Sequence, residues 1–315
     1  MNYVALILSG GEGTRLKPLT NQTPKPVIPL LNKSFLFYQL DLIEKAGIEN
    51  CFLLSGCKAD ILKKTFKNKY KNLKIEIIEE ENPMGTGGAI GFAKDIIKKP
   101  AIVFNGDVFF QINLKDIIKK HKEKRAEGTI MAIKVKDPSR FGVITMQKDG
   151  KIKEFLEKIP NPPSKWINGG LYIFEWVILK KIPNKPCSIE RDVFPKLLKE
   201  GNYLWCYKYR GYWKDIGTIE SYRSATFDLV NGKLIKWKKE VQNNRILSEN
   251  KNVKIDKFSV VGKNCQIGEN TKIIKSIIFD NCEIGKNCLI KNSIISYNIK
   301  IKENSNIDEE VLVEN

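Results

Sequence analysis

The sequence holds a single histidine, His121, and no C-x-x-C pair among its seven cysteines. A zinc centre or a disulfide framework needs a different pattern, so the cysteines read as reduced, mostly buried thiols. The lone histidine lies among lysines in KKHKEKR, which reads as part of a surface helix and leaves no general base. No apolar run approaches the length needed to cross a bilayer. The opening MNYVALILSGG has no basic n-region or cleavage site, and Val4 to Leu8 is too short for a signal sequence. The expectation is a cytoplasmic protein with no membrane partner. The loop after that first apolar run lacks two familiar phosphate-binding patterns. G-x-G-x-x-G fails because Leu16 takes the last position, and no Gly-Lys-Ser/Thr follows at P-loop distance.

What is present points to two domains. The 315 residues exceed one average domain, and 42% of them are hydrophobic, enough for an ordinary core. The formal charge of +18 comes from scattered lysines accompanied by abundant asparagine. That scatter reads as a compositional bias, and cationic pockets also serve phosphate-rich small molecules, so no nucleic-acid partner is expected. Val4 to Leu8, Cys51 to Leu54, Ile75 to Ile78 and Ala101 to Phe104 read as buried strands. Amphipathic stretches at Phe35 to Ala46, Ala59 to Phe66 and Gly88 to Ile97 lie between them. Such alternation predicts an α/β fold, a Rossmann-like, mainly parallel sheet with helices on both faces. Beyond Asp107, Thr129 to Val135, Gly142 to Met146, Lys151 to Phe155 and Trp166 to Phe174 crowd together, so the sheet becomes mixed. A helix near Ile219 to Val230 closes this domain, 1–230, and residues 231–252 read as a connector.

Residues 253–315 form a repeat. Apolar residues recur at Ile255, Val261, Ile267, Ile273, Ile278, Ile284, Ile290, Ile295, Ile301 and Ile307, in steps of six with a five after Ile273 and after Ile290. Val261, Ile278, Ile295 and Leu312 are each 17 apart. A three-sided solenoid with hexapeptide faces needs about 18 residues per turn, so one shortened corner explains the spacing. The expectation is a small left-handed parallel β-helix, with Cys265, Thr271, Cys282, Cys288 and Ser305 sharing its interior.

The chemistry concentrates in a few places. The turn Ser9-Gly10-Gly11-Glu12-Gly13-Thr14-Arg15-Leu16 can bring backbone N–H groups up to phosphate oxygens. Arg15 follows closely, and Lys25 sits in Thr23-Pro24-Lys25-Pro26, where two prolines restrict the ammonium. Together they predict a phosphate site. Asp107 follows the strand ending at Phe104, and Asp215 lies in GYWKDIG. Open α/β sheets bind ligands beyond their strand ends, and magnesium suits a pair of carboxylates completed by phosphate and water. Glu157-Lys158 and Ile167-Asn168-Gly169-Gly170 offer a cation for a phosphate and acceptors for sugar hydroxyls.

Taken in order, LILSGGEGTRLKPLT, TPKPVIPL, NPMGTGGAI, NGDVFF, FGVI, FLEK, INGGLYIF and GYWKDIG resemble the sugar-1-phosphate nucleotidyltransferases and span nearly all of residues 1–230. SIERDVFPKLL and the trailing repeat look most like the mannose-1-phosphate guanylyltransferases, while GTGGAI and INGGLYIF also look similar to heptose-1-phosphate guanylyltransferases. The resemblance implies that Gly10, Gly11, Gly13, Thr14, Arg15 and Lys25 hold the triphosphate, with Ser9 and Gly106 alongside. It implies Gly85 and Thr86 beside the base, and Asp107 with Asp215 on magnesium. Lys158 would bind the sugar phosphate, while Glu157, Asn168 and the backbone at Gly142 and Gly169 hold the sugar. Arg15, Lys25, Asp107, Lys158 and Asp215 are its implied catalytic set. The sequence departs from the family at Ser9, where alanine is common, and at Ile159, inserted before Pro160.

The implied reaction joins GTP and mannose 1-phosphate and releases pyrophosphate. Its nucleophile is already ionised, so alignment and charge stabilisation suffice without a base. Guanine presents two adjacent donors, which a carboxylate at Glu80 (or Glu81) would accept. A UDP- or dTDP-glucose or a heptose-1-phosphate nucleotidyltransferase is the alternative, as is a catalytically silent regulatory or assembly protein on the same fold, although all five anion-handling residues are intact. The repeat has no histidine to act as an acyltransferase base, so it reads as an assembly element and a homo-oligomer is expected.

Overall fold

The computed structural model describes residues 2–56, 58–66, 68–233 and 252–314. Most of the expected connector, residues 234–251, lies outside the described residues. The chain forms two compact units: Met1–Glu12 with Tyr38–Trp213, and Gly13–Phe37 with Lys214–Asn315.

The first unit is built on a ten-stranded mixed sheet. Its parallel centre runs Ala101–Asn105, Val4–Leu8, Asn50–Ser55, Leu73–Glu79. Along Val4–Leu8 both side-chain parities are buried, with Ala5, Leu6 and Ile7 fully so. A strand in this state has both faces covered, which explains why it reads as an unbroken apolar run. One face carries helix Gly85–Ile97 and the stretch from Ile178 to Leu197. Leu73–Glu79 differs, because buried and exposed residues alternate along it. It adjoins the two-residue edge strand Lys69–Tyr70, so half of its surface meets water.

Trp166–Phe174 runs antiparallel to Ala101–Asn105 and turns the sheet from parallel to mixed. It also pairs with Gly128–Lys134, and Gly142–Met146 and Ile152–Glu157 extend the edge beyond it. The pairing slips between Asn168 and Tyr172, where Gly170 has φ +74°. A bulge of this kind bends a strand and re-aims its side chains, and glycine accepts the left-handed backbone.

One expectation is corrected here. His121 is 1% exposed, although its lysine neighbours face outward. It sits on the apolar side of helix Leu114–Glu123 with Leu114, Ile117 and Ile118. Thr129 Oγ1 lies 2.7 Å from its Nδ1, and the Glu175 carboxylate 3.1 Å from its Nε2. Tyr3 donates its hydroxyl to the same carboxylate. Helical periodicity, with Ile117 four residues before it, governs its placement more than the surrounding charge does.

In the second unit, residues 254–312 form three parallel ladders. Partners such as Val260, Ile277, Ile294 and Val311 are 17 residues apart. Thr271, Cys282 and Cys288 are buried with the isoleucines, whereas Cys265 and Ser305 are only partly so. The corners are turned by asparagines at positive φ, and these bond from coil to coil: Asn264 donates to Asn281 at 3.2 Å and Asn270 to Asn287 at 3.1 Å. Asparagine tolerates the left-handed region better than other residues with a Cβ, which accounts for its abundance here. The same unit contains Gly13–Phe37, and Asn32 there donates to the Val261 carbonyl at 2.9 Å.

Candidate active site

In the first unit the loop after Val4–Leu8 is shaped by close backbone approaches. A Cβ at Gly10 would stand 2.9 Å from the Gly56 nitrogen, and one at Gly106 would stand 2.3 Å from the Leu8 carbonyl oxygen. Gly106 N–H also donates to that oxygen. Both glycines are therefore required for these strand ends to lie side by side. Gly11 is exposed with open space around its Cβ position. Ser9 is buried and directs both its hydroxyl and its backbone N–H to the Leu54 carbonyl, so its donors are engaged within the fold and the expected place for it beside the triphosphate is not supported by a free donor.

Gly56 continues into a cavity of about 490 Å³, lined also by Lys58, Glu79, Glu80 and Glu81. The Glu80 carboxylate accepts the Met84 N–H at 3.0 Å. Burial holds its pKa above the ordinary glutamate value, with that hydrogen bond opposing. Met84 leads into helix Gly85–Ile97, which starts earlier than its apolar pattern indicates. Gly85 adopts φ +68° and faces the Cys187 carbonyl, and the N–H groups of Gly87 and Gly88 donate to that carbonyl. Thr86 accepts from Ile189 N–H and donates to Glu190 at 2.8 Å. The Ser188 hydroxyl donates to the same Glu190 oxygen. Burial raises the Glu190 pKa, and the nearby Glu157 carboxylate adds to it. Glu190 is not among the site residues expected from the sequence; its signal there is an acid between two buried apolar residues, Ile189 and Val193.

Glu157 and Gly142 are direct partners in the antiparallel ladder. A Cβ at Gly142 would stand 2.8 Å from Glu157 Oε2 and 2.6 Å from Phe155 Cζ, so glycine there makes room for the carboxylate. Lys158 leaves the strand at φ +51°, with its ammonium 3.4 Å from Glu157 and 57% exposed. At the bulge, the Asn168 side chain accepts from Gly170 N–H and donates to the Tyr172 hydroxyl at 2.7 Å. Asn105 also hydrogen-bonds that buried hydroxyl, and burial keeps the Tyr172 pKa well above the usual phenol value. The Trp213 indole donates to the Gly169 carbonyl. Tyr172 thus ties Asn168 to the strand that leads to Asp107.

The second unit holds Gly13, Thr14, Arg15, Lys25 and Asp215. Gly13 takes φ +64°, and its Cβ position faces Thr20 Cγ2 at 2.9 Å and Lys25 Cβ at 3.5 Å. Thr20 closes the turn by donating to the Gly13 carbonyl. Thr14 and Arg15 are exposed in a short 3-10 turn, and Lys25 begins another between Pro24 and Pro26. Gly217 is flanked by Asp215 Oδ1 and Arg15 Nη2, at 3.0 and 3.1 Å from its Cβ position. Arg15 and Asp215, distant in sequence, therefore meet beside one glycine that sequence reasoning passed over. Among the described residues no three or more His, Cys, Asp or Glu side chains gather as a metal cluster.

The nucleotidyl transferase family model matches residues 4–232 of this chain. The chain belongs to that family. A model for the EIF2B subunit epsilon LbH domain matches residues 220–315. The mannose-1-phosphate guanylyltransferase of Mycobacterium tuberculosis is 35% identical over 88% of this chain and 79% of its own length. Mannose-1-phosphate guanyltransferase beta-A of Xenopus laevis is 38% identical over 68% of this chain, which spans 61% of that protein. A crystal structure of HddC from Yersinia pseudotuberculosis complexed with GMP-PN superposes with a TM-score of 0.62 at 31% identity, covering 72% of this chain and 99% of that one. This nucleotidyltransferase is accordingly an enzyme acting on a nucleoside triphosphate and a sugar phosphate. No helix among its described residues is long and apolar enough to cross a membrane.

Proposed function

We propose that the enzyme transfers the guanylyl group of GTP to mannose 1-phosphate, releasing pyrophosphate. The observation that carries this reading is the Glu80 carboxylate in the wall of the cavity that begins at Gly56. A carboxylate there accepts both guanine donors, N1–H and N2–H. The names of the Mycobacterium and Xenopus relatives support mannose as the sugar, and GMP-PN in HddC supports the base.

A phosphate oxygen of the sugar 1-phosphate attacks the α-phosphorus, forming one P–O bond while the bond to the β-phosphate bridge breaks. Both reactants are anions, so the barrier is lowered by neutralisation and alignment. The Gly10–Gly13 backbone, Arg15 and Lys25 bind the triphosphate. Lys158, exposed beside Glu157, aims the incoming phosphate. Glu157, Asn168 and the backbone at Gly142 and Gly169 hold the sugar, and Thr86 and Gly85 border the base. His121 takes no part, since both ring nitrogens are engaged within the fold.

Asp107 and Asp215 would hold magnesium. Each offers a hard oxygen ligand in its own unit, and in the first unit Asn105 Oδ1, two residues before Asp107, is a buried acceptor without a hydrogen-bond partner, which fits a cation there. When bound, the ion supplies charge neutralisation at the phosphates. Residues 1–230 act as the catalytic domain and 253–315 as an assembly domain of a cytoplasmic homo-oligomer. Sedimentation at micromolar concentration tests the last point, and a stable monomer contradicts it.

Pyrophosphate release, measured with each nucleoside triphosphate against mannose, glucose and heptose 1-phosphates, tests the whole. Release confined to GTP with mannose 1-phosphate is expected. GTP with heptose 1-phosphate would replace the sugar, and UTP or dTTP with glucose 1-phosphate would overturn the role of Glu80.

A further inference from the structure

Gln39 is an uncharged polar residue on the buried side of helix Leu36–Ala46, only 2% exposed, among fully buried Leu36, Leu40 and Ile43. Its amide nitrogen donates twice: to the Asn105 carbonyl at 2.9 Å and to the Val108 carbonyl at 3.0 Å. Those two carbonyls bracket Gly106 and Asp107. The Gly106 N–H is in turn fixed to the Leu8 carbonyl, and a Cβ at Gly106 would strike that oxygen. After the turn, Phe109 is held edge-on by Tyr38 at 5.2 Å and by Tyr212 at 5.8 Å. The turn thus leaves one strand and enters another, Val108–Phe110, with aromatic packing behind it. A single NH₂ group bonds the carbonyls on both sides of it.

From this geometry we propose that Gln39 is a positioning residue for Asp107, a clamp that fixes the carboxylate's approach to magnesium. The proposal rests on the metal role given to Asp107 above. A primary amide suits the task because one nitrogen offers two N–H donors at a fixed angle. Methionine fills the same space without donors, and an ionised glutamate would set charge against two carbonyl oxygens. Buried carbonyls left without donors seek new partners, and the shortest way is for the turn to swing. That motion displaces the Asp107 side chain while leaving Glu80 and Lys158 in place. Groups that orient a metal ligand typically change metal affinity by about 10- to 100-fold when removed.

The test compares Gln39→Met, Gln39→Glu and Asp107→Asn with the unaltered enzyme. Two quantities are read: the magnesium concentration for half-maximal pyrophosphate release, and Mn²⁺ binding to the enzyme–GTP complex by electron paramagnetic resonance. For Gln39→Met, both are expected to weaken by about tenfold or more, with activity recovering as magnesium is raised. A lowered Tm with unaltered metal dependence would reduce Gln39 to a packing residue and overturn the proposal. Asp107→Asn separates the two levels. If it too keeps the metal response, the metal role of Asp107 fails; if it alone loses the response, only the clamp fails. Should the Gln39 variants not fold, NMR of the unaltered protein decides. Slowly exchanging Gln39 side-chain amide protons that shift when magnesium and GTP bind support the clamp, and rapid exchange overturns it.

Discussion

The Tyr172 hydroxyl is fully buried between two asparagine side chains, one on the bulge of Trp166–Phe174 and one at the end of the strand before Asp107. Tyr172→Phe keeps the ring packing against Phe174 and Phe194 but leaves amide donors without an acceptor. An orphaned buried donor costs about 1–3 kcal/mol. The variant should therefore melt lower, and its KM for the sugar 1-phosphate should rise more than its KM for GTP. Steady-state kinetics with both substrates varied checks this, and equal rises would remove the link. Glu80 gives a pH signature. Burial raises its folded pKa above the ordinary value of 4.5, so ionisation lowers the stability of the free enzyme as pH rises through that window. Glu80→Gln should be slightly more stable at neutral pH and bind GTP roughly 10- to 100-fold more weakly, since a hydrogen bond to a charged acceptor is worth about 1.5–3 kcal/mol. In the unaltered enzyme KM for GTP should climb on acidification from above pH 4.5; a flat profile would exclude ionised Glu80 as the base reader.

Among the elements, helix Gly85–Ile97 has four glycines, a composition that isolated helices disfavour. Its partner explains them: Cβ atoms at Gly87, Gly88 and Gly91 would run into Cys187 Sγ, the Lys185 carbonyl and the Pro183 carbonyl. At Gly91 the gap would be 2.1 Å to backbone oxygen. Alanine there gains about 1 kcal/mol of helix propensity, but overpacking against backbone costs about 1–3 kcal/mol or more. Gly91→Ala should lower Tm, and an unchanged or higher Tm would show that the Pro183 segment yields freely. In the β-helix, Asn281 at φ +63° bonds both Asn264 and Asn298. Asn281→Ala should cost about 1–2 kcal/mol from the left-handed backbone alone, and Asn281→Gly less, measured by thermal unfolding. The periodic elements were legible beforehand because their apolar spacing repeats. The start of helix Gly85–Ile97 was not, since glycine carries no helical signal and partners distant in sequence, the Cys187 carbonyl among them, hold it there.

For the whole molecule, the Tyr3–Glu175–His121–Thr129 chain joins elements far apart in sequence within the main sheet unit. Its hydrogen bond from His121, more than any other contact, keeps the Glu175 pKa below the usual glutamate value despite burial. The resulting stability is complete above the unfolded pKa and is lost as pH falls through the lower folded value. Glu175→Gln should therefore be destabilised at pH 7, with the gap to the unaltered protein closing toward pH 3. Urea unfolding at both pH values checks this, and a gap that widens on acidification would refute it.

By itself the sequence determined the strand–helix alternation, the mixed sheet beyond Asp107 and the hexapeptide coils. These are written in apolar period and in glycine and proline placement, which act over a few neighbouring residues. Only the tertiary structure decided that Gly142 stands opposite Glu157, that Gly56 shares a cavity with Glu80, that Gly217 lies between Arg15 and Asp215, and that Gln39 spans the Asp107 turn. The same holds for His121, which its charged neighbours marked as a surface residue. The physical reason is common to all of them: each depends on which backbone approaches which across the fold, and a local pattern holds no record of that distance.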